Sequence, residues 1–332
     1  MHRQLFKLVW LLAAVLMVVA GWMYYYVNQP LDIPDEPQGF VLKHGSSLRS
    51  IAQQLVNEGV LDEPWSFVLL VRAHGMASEV KAGNYQLSKG MTPYDLFVML
   101  TTGSTVQSSI IFIEGWTFRQ MREALNAHED VKHLSMQMTD AEIMAYIGAP
   151  QKLPEGMFFP DSYFFDQEMS DLDILKRAYL TMQDKLEQAW QKRDAGLPYR
   201  SPYQALIMAS IVEKETGRGD ERPMIARVFL NRLRLGMRLQ TDPTVIYGMG
   251  DKFDGNLRKR DLLKDTPYNT YTRYGLPPTP IAMPGQAAIE AALHPARGRA
   301  LYFVGKGDGS HVFSATLSEH NRAVTRYQLK RK

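Results

Sequence analysis

The longest apolar segment of the chain lies at its N-terminus. Leu8 to Val27 is a run of twenty residues without a charge, which is enough to cross a bilayer as a helix. Arg3 and Lys7 precede it and acidic residues follow it, so the positive-inside bias predicts a cytoplasmic N-terminus and an extracytoplasmic body. A cleaved signal peptide is the alternative, but the cleavage site is poor and bulky aromatic residues such as Trp22 lie at the outer end of the long apolar run. We therefore expect a single-pass anchor over residues 1–27.

The pattern after the anchor predicts a short linker and then a small α/β module. Residues 28–38 are rich in proline and acidic side chains, which is typical of an extended linker. From residue 39 to residue 104, short strand patterns and helix patterns alternate between glycine and proline boundaries, over a length that is small but sufficient for a domain. The predicted elements are a strand over 40–42, helices over 48–56 and 65–73, a strand over 83–87 and a helix over 92–100.

The pattern of hydrophobic and polar positions over residues 105–332 predicts a larger domain of mixed α+β structure. A strand over 108–113 is followed by predicted helices over 118–125, 128–150, 172–193, 203–215, 221–235 and 286–293. A short helix through residue 247, a hairpin over 301–313 and a final helix from residue 317 complete the pattern. Segment 153–165 has five aromatic residues, two prolines and a glycine, which cannot make a regular helix, so we expect it to be irregular. Segment 268–285 is rich in proline and leaves no room for regular structure, and a long irregular segment in a compact domain is usually functional or mobile.

The stretch from Tyr203 to Leu239 organises this domain, because its first helix carries two glutamates. At 100° per residue, Glu215 falls in the middle of the apolar arc formed by residues such as Ile211, whereas Glu213 projects to the opposite side. A carboxyl group against an apolar face loses hydration, which raises its pKa and suits it to act as a general acid near neutral pH. The alternative is that Glu215 only caps the apolar face before Gly217 stops the helix.

The composition of the chain limits which partners, nucleophiles and cofactors we expect. The net charge of +3 is too weak to indicate a nucleic-acid partner, and the only basic cluster is the terminal segment 330–332. The absence of cysteine excludes disulfides and thiol nucleophiles. The eight histidines show no metal-ligand spacing, so we expect neither a metal nor another cofactor.

A series of short motifs runs through the chain after the anchor. In chain order they are EG (155–156), FPDSY (159–163), ASIVEKET (209–216), VFLNRL (228–233), LQTDPTVIYG (239–248), YNTY (268–271), GLPP (275–278), PG (284–285) and HPA (294–296). Together these motifs resemble those of the endolytic murein transglycosylases of the YceG-like family. The resemblance covers nearly the whole chain, and its departures, Ser162 in place of a frequent threonine and the segment 217–219, remove no functional group that the chemistry needs.

The resemblance implies an enzyme anchored in the inner membrane, with a LysM-like module over 39–104 and a periplasmic catalytic domain over 105–332. It implies nascent peptidoglycan glycan strands as substrate, peptidoglycan synthases as candidate partners, and Glu215 as the catalytic acid on a helix. The enzyme would cleave the MurNAc–GlcNAc β-1,4 bond, leave 1,6-anhydro-MurNAc ends and terminate strand elongation. Because the muramyl 6-hydroxyl replaces water in that reaction, one carboxyl can act first as acid and then as base, whereas a hydrolase normally needs two.

Other residues are candidates for contacts with the substrate. Possible second carboxylates are Glu155, beside the aromatic segment, Asp161, a candidate turn former, and Asp242, a candidate helix cap. The aromatic residues Phe159 and Tyr163 pack either in the core or along a sugar-binding groove. The remaining candidates, which either hydrogen-bond sugar groups or hold their own loops, are Gln240, Asn269 and Tyr271.

Two further function classes stay open from the sequence. The chain could be a glycan-binding scaffold, although a buried carboxyl without a use is costly. It could also be a muramidase that hydrolyses the glycan with water. The masses of the products distinguish all three functions.

Overall fold

The computed structural model describes residues 2–34, 38–43, 45–103, 108–165 and 169–329. The expected domain boundary between residues 104 and 105, residues 35–37 of the expected linker and the basic segment 330–332 lie outside these residues. The chain forms two compact units. The N-terminal unit comprises Met1–Ser108 with Phe164–Gln167, and the C-terminal unit comprises Ser109–Tyr163 with Glu168–Lys332. Both helices and strands are present, so the predicted α+β class is confirmed.

The N-terminal unit consists of a long apolar helix and a small module of two strands and three helices. Within the described residues one helical segment, Val9–Asn28, is long and apolar enough to cross a membrane, with a mean hydropathy of 1.7. The strands β1 (Gln38–Leu42) and β2 (Gly83–Leu87) pair antiparallel, with Phe40 opposite Tyr85, and both of these rings lie in the core. The elements are α1 (His2–Asn28), β1 (Gln38–Leu42), α2 (Leu48–Asn57), α3 (Pro64–Ala73), β2 (Gly83–Leu87) and α4 (Pro93–Thr102).

Local signals explain the helix boundaries in this module. Glu63 accepts the backbone N–H groups at the start of α3, and Thr92 forms a capping box with Asp95 at the start of α4. Gly103, in the left-handed conformation, ends α4. The expected linker is not free of the module throughout, because Ile33 is buried in the module core and Leu31 packs against it.

The C-terminal unit is built around a buried helix, α8 (Pro202–Glu215). All of its residues from Ala205 to Val212 are buried, since four other helices pack around it, namely α7 (Asp171–Gln191), α9 (Arg222–Arg234), α10 (Asp242–Met249) and α12 (Gln286–Leu293). Strands β5 and β6 form an antiparallel hairpin that pairs Tyr302 with Ser314. The elements that follow α4 along the chain are β3 (Ser108–Ile111), α5 (Phe118–Ala127), α6 (Asp140–Tyr146), β4 (Ser162–Phe165, whose last two residues belong to the N-terminal unit), α7 (Asp171–Gln191), α8 (Pro202–Glu215), α9 (Arg222–Arg234), α10 (Asp242–Met249), α11 (Lys259–Leu263), α12 (Gln286–Leu293), β5 (Tyr302–Gly305), β6 (His311–Ser314) and α13 (Leu317–Val324).

Three local predictions are wrong in part. The helix expected over 128–150 is confined to α6, because Thr139 starts a new capping box there and the buried Asp171 holds the backbone N–H groups of Leu134 and Ser135 in an irregular segment. The segment 153–165, expected to be irregular, ends in strand β4. Helix α8 stops because Thr216 adopts extended backbone angles, not at a left-handed glycine.

Candidate active site

Glu215 is the last residue of α8 and is partly buried at the end of the apolar helix. Its Oε2 atom accepts a hydrogen bond of 2.7 Å from the hydroxyl group of Thr241. Burial raises the pKa of Glu215, and the negative charge of Asp242 raises it further, although the Thr241 hydroxyl opposes the shift. The environment therefore favours a neutral carboxylic acid, which is the state that a proton donor requires.

The carboxyl group of Glu215 lines a cavity of about 480 Å³. The helices α8, α9 and α13, the segments around residues 240 and 271, and the β5–β6 hairpin form its walls. Several of the lining side chains carry charge or hydroxyl groups, as a sugar-binding cleft requires. The lining residues are Glu215, Arg232, Gln240, Asp242, Tyr271, Tyr302, Phe303, Val304, Gly305, His311, Leu317, His320, Val324 and Gln328.

The segment 240–242 approaches Glu215 with an unusual backbone. Gln240 has a φ of 51°, and among the described residues it is alone in having a positive φ without being glycine. The backbone N–H of Gln240 donates to the carbonyl oxygen of Thr270, and that of Thr241 donates to the Thr270 hydroxyl oxygen, each with a hydrogen bond of 3.1 Å. A strained backbone that is held from a neighbouring segment is typical of functional sites.

Asp242 does not have the role that its sequence context suggests. It is the first residue of α10 rather than its cap, and no side chain caps that helix, so the cap expected at Asp242 is wrong. Its Oδ1 atom accepts a hydrogen bond of 2.5 Å from the hydroxyl group of Tyr271. Burial raises the pKa of Tyr271, and this hydrogen bond to Asp242 adds to the effect. The cavity thus holds a second carboxyl group with its own fixed donor.

Arg232 and His311 also line the cavity and were not singled out from the sequence. Arg232 on α9 is 8% exposed and donates to the carbonyl oxygens of Leu301 and Leu239, at 2.7 and 2.6 Å, so it joins the segment before β5 to the segment before Gln240. His311 on β6 lies with its Nδ1 atom 2.7 Å from a carboxylate oxygen of Glu221.

Sequence signals for these two residues are weak. Arg232 stands inside the VFLNRL motif, but an arginine on an amphipathic helix usually faces solvent. His311 belongs to no motif, and its pairing with Glu221 depends on the tertiary fold.

Glu213 lies on a different side of α8 and belongs to a different set of contacts. Its side chain is 5% exposed and lies 2.8 Å from the guanidinium group of Arg222. Its other carboxylate oxygen accepts a hydrogen bond of 3.0 Å from the backbone N–H of Gly285. Burial raises the pKa of Glu213 also, although Gly285 and Arg222 oppose the shift. Glu213 thus joins α8 to the starts of α9 and α12 and does not line the Glu215 cavity.

The structure does not bring Glu155 to Glu215. Glu155 lines a separate cavity of about 380 Å³. There its carboxylate accepts hydrogen bonds of 3.1 Å from the backbone N–H of Phe118 and from the hydroxyl group of Tyr247. Burial raises its pKa to about 7. At Gly156, where φ is +76°, an added Cβ would lie 2.3 Å from the Cβ of Pro280, so this close approach requires glycine.

Three further candidates also lie outside the lining of the Glu215 cavity. Phe159 and Tyr163 are buried, and the Tyr163 hydroxyl donates to the Phe159 carbonyl over 2.8 Å. Asn269 is fully buried and donates to the carbonyl oxygens of residues 261, 262 and 264. Because its own Oδ1 accepts the backbone N–H of Tyr271 over 2.8 Å, Asn269 fixes the loop that carries Tyr271.

No metal chemistry is indicated by the arrangement of side chains. Within the parts of the chain that the structure describes, no three His, Asp or Glu residues are gathered where they could hold a metal ion.

Comparison with known proteins gives consistent results. A Bacillus subtilis (strain 168) protein named endolytic murein transglycosylase is 35% identical over 300 residues, which cover 85% of this chain and 82% of that protein. A Streptococcus pneumoniae (serotype 2, strain D39) protein of the same name is 26% identical, and the match covers 98% of this chain and 66% of that protein. A crystal structure of a yceG-like protein from Listeria monocytogenes has a TM-score of 0.53 and 31% identity, covering 87% of this chain and 100% of that one. Since the YceG-like family profile matches residues 40–326, the chain belongs to the YceG-like family.

Proposed function

We propose that this protein is an endolytic peptidoglycan lytic transglycosylase and that Glu215 is its catalytic acid and base. The observation that carries the proposal is the placement of the Glu215 carboxyl group, which ends a buried helix, opens onto a cavity and has a raised pKa. The relatives named endolytic murein transglycosylase support the same reaction and identify peptidoglycan as the class of substrate.

In the proposed reaction, neutral Glu215 donates its proton to the oxygen that joins MurNAc to GlcNAc. The bond between the MurNAc anomeric carbon and that oxygen breaks, and the GlcNAc end leaves with a 4-hydroxyl group. The 6-hydroxyl oxygen of the same MurNAc then bonds to the anomeric carbon, and its proton passes to the Glu215 carboxylate. The product is a 1,6-anhydro-MurNAc end, Glu215 is again neutral, and no water is consumed.

The neighbouring side chains have supporting roles in this proposal. Thr241 holds one oxygen of Glu215, which leaves the carboxyl group in a fixed orientation toward the cavity. We assign Gln240, Asp242 and Tyr271 to contacts with the glycan because they line the same cavity. Glu155, Phe159, Tyr163 and Asn269 would then act by holding the walls and loops.

One observation favours a second candidate function, hydrolysis by water. Asp242 lines the cavity together with Glu215, and a pair of carboxyl groups is the usual equipment of a glycoside hydrolase. Against this, the Tyr271 hydroxyl already occupies one Asp242 oxygen at 2.5 Å. A glycan-binding scaffold without activity is disfavoured, because burial of an ionisable group at the cavity wall is costly unless it is used.

The proposal is tested by comparing Glu215→Gln with Glu213→Gln on purified glycan strands. Glu215→Gln keeps the shape of the side chain but removes the acid, so activity should fall by at least roughly 10²–10⁴-fold while the melting temperature is maintained. Glu213→Gln, two positions away on α8, should retain most activity in the folded fraction and instead lower the melting temperature, because Arg222 loses the nearer of its two carboxylate partners and keeps only Glu114 at 3.7 Å. An active Glu215→Gln variant would exclude Glu215 as the catalytic acid.

The membrane and module assignments belong to the same proposal. The apolar helix supports a single-pass anchor in the inner membrane with the catalytic unit in the periplasm, where nascent glycan is made. We assign the module after the anchor as LysM-like, holding glycan near the catalytic unit, with peptidoglycan synthases as candidate partners. A periplasm-dependent reporter fused after residue 332 should be active, and a mature N-terminus near Gly21 would instead identify a cleaved signal.

A further inference from the structure

Two tryptophans stack where the apolar helix meets the small module. Trp22 of α1 and Trp65 at the start of α3 have ring centroids 5.0 Å apart and planes inclined by 13°. Tyr26, one turn after Trp22 on α1, also stacks on the Trp22 ring, and the centroids of these two rings are 5.7 Å apart. Trp and Tyr rings at the end of an apolar helix are characteristic of the layer where lipid headgroups meet water.

The module contacts α1 inside the segment that is apolar enough to span a membrane. Met23 and Val27 of α1 pack against the module core, and both belong to the apolar segment Val9–Asn28. At 1.5 Å per residue, Met23 lies only about 8 Å from the end of that segment, whereas the hydrocarbon layer is about 30 Å thick. A helix that spans the bilayer would thus carry the module directly at its surface.

Trp65 and Leu69 form an open apolar strip along α3, and the acidic residues Asp62 and Glu63 stand just before this helix. Trp65 is 58% exposed and Leu69, four residues later on the same face, is 40% exposed, while Tyr25 at the end of α1 is 63% exposed. By contrast, the outer face of α2 is polar and includes Ser50 and Gln53. The module therefore has one apolar face that continues from the apolar helix, and a polar face elsewhere.

We infer that the exposed face formed by Trp22, Tyr25, Trp65 and Leu69, with Tyr26 stacked beneath Trp22, is a membrane-seating surface that inserts into the headgroup layer of the outer leaflet. The occupant is lipid, because the face is continuous with the spanning helix and its rings match the amphipathic character of the interface. The inference rests on the proposed anchor. It goes further, since it makes the module a fixed base on the membrane instead of a unit on a free tether.

Single-cysteine labelling tests this surface, since the natural chain has no cysteine. A nitroxide would be placed separately at Leu12→Cys, Leu69→Cys and Gln53→Cys in the full-length protein, in vesicles of phosphatidylethanolamine and phosphatidylglycerol. Accessibility to oxygen, which concentrates in lipid, and to a water-soluble nickel complex would be measured for each label. We expect the oxygen-to-nickel ratio to be highest at position 12, intermediate at 69 and several-fold lower at 53.

The outcomes separate the seating surface from the anchor. A low ratio at position 12 would overturn the anchor. A high ratio at position 12 with equal ratios at 69 and 53 would overturn the seating surface alone. Shielding of position 69 from both reagents would mean that another protein surface covers it, which also contradicts the inference. In the Leu69→Cys background, Trp65→Ala should lower the oxygen-to-nickel ratio at position 69, whereas Trp65→Phe should largely preserve it. As a control, the same two substitutions in the Gln53→Cys background should leave the ratio at position 53 constant.

Discussion

The hydroxyl group of Thr241 donates a hydrogen bond of 2.7 Å to Oε2 of Glu215, although 26 residues separate them in the chain. Thr241 precedes α10, a position from which a threonine side chain usually caps the helix. Its hydroxyl group leaves α10 uncapped and binds Glu215 instead. The helix gives up a favourable cap so that one carboxyl oxygen has a fixed orientation.

Replacing Thr241 with valine removes this donor while preserving the shape of the side chain. We expect kcat/KM to fall roughly tenfold, the equivalent of about 1.4 kcal/mol, because the carboxyl group loses its orientation. A hydrogen bond to the ionised form lowers a carboxyl pKa, so its loss raises the pKa of Glu215 and moves the alkaline limb of the pH–rate profile to higher pH. Thr241→Ser keeps the donor and should restore both the rate and the limb. A profile unchanged in Thr241→Val would show that the bond does not tune Glu215.

Asp242→Asn should move the same limb in the opposite direction. The negative charge of Asp242 raises the pKa of Glu215, so its removal allows Glu215 to lose its proton at lower pH. The matched variant Tyr271→Phe removes the hydrogen bond to Asp242 but leaves its charge, and its limb should remain close to that of the unmodified protein. Measuring kcat/KM against pH for both variants checks the prediction, and a limb that rises in Asp242→Asn contradicts it.

Glu155 should make stability depend on pH near neutrality. Burial raises its pKa from 4.5 to about 7 in the folded chain, so folding binds a proton between these values. The stabilisation is complete below pH 4.5 and is lost as pH rises through 7, at a cost of about 3 kcal/mol above that range. Glu155→Gln removes this titration. As the pH rises from 5 to 8, the free energy of unfolding of the variant should therefore increase relative to that of the unmodified protein. Urea unfolding across this range measures the difference, and a difference that stays constant with pH would contradict the assignment.

The elements with clear local signals were predicted from the sequence. Strand β2 and helix α12 have the predicted limits, because a glycine begins the strand and Gly285 stands before the helix. The chain over 128–150 was predicted less well, since its irregular part depends on hydrogen bonds from Asp171, which is remote in sequence. The charged helix α11, five residues long, is too short to show a period.

The candidate site was predictable only where one helix determined it. The apolar arc of α8 placed Glu215 and Glu213 in different surroundings, and their contacts in the fold do differ. The partners of Glu215 come from other segments, so nothing in the sequence indicated the Thr241 bond. Asn269 illustrates the converse, because its polar side chain is used up by backbone carbonyls of its own loop.

The most direct test of the proposed function is the mass of the products released from purified glycan strands. The account predicts muropeptide chains that end in 1,6-anhydro-MurNAc and are therefore lighter by one water than hydrolytic products, and it predicts that Glu215→Gln releases none of them. Reducing ends in place of anhydro ends would show that water is the nucleophile, with Asp242 as the candidate second carboxylate. Intact strands after incubation with the folded, unmodified protein would contradict the central claim.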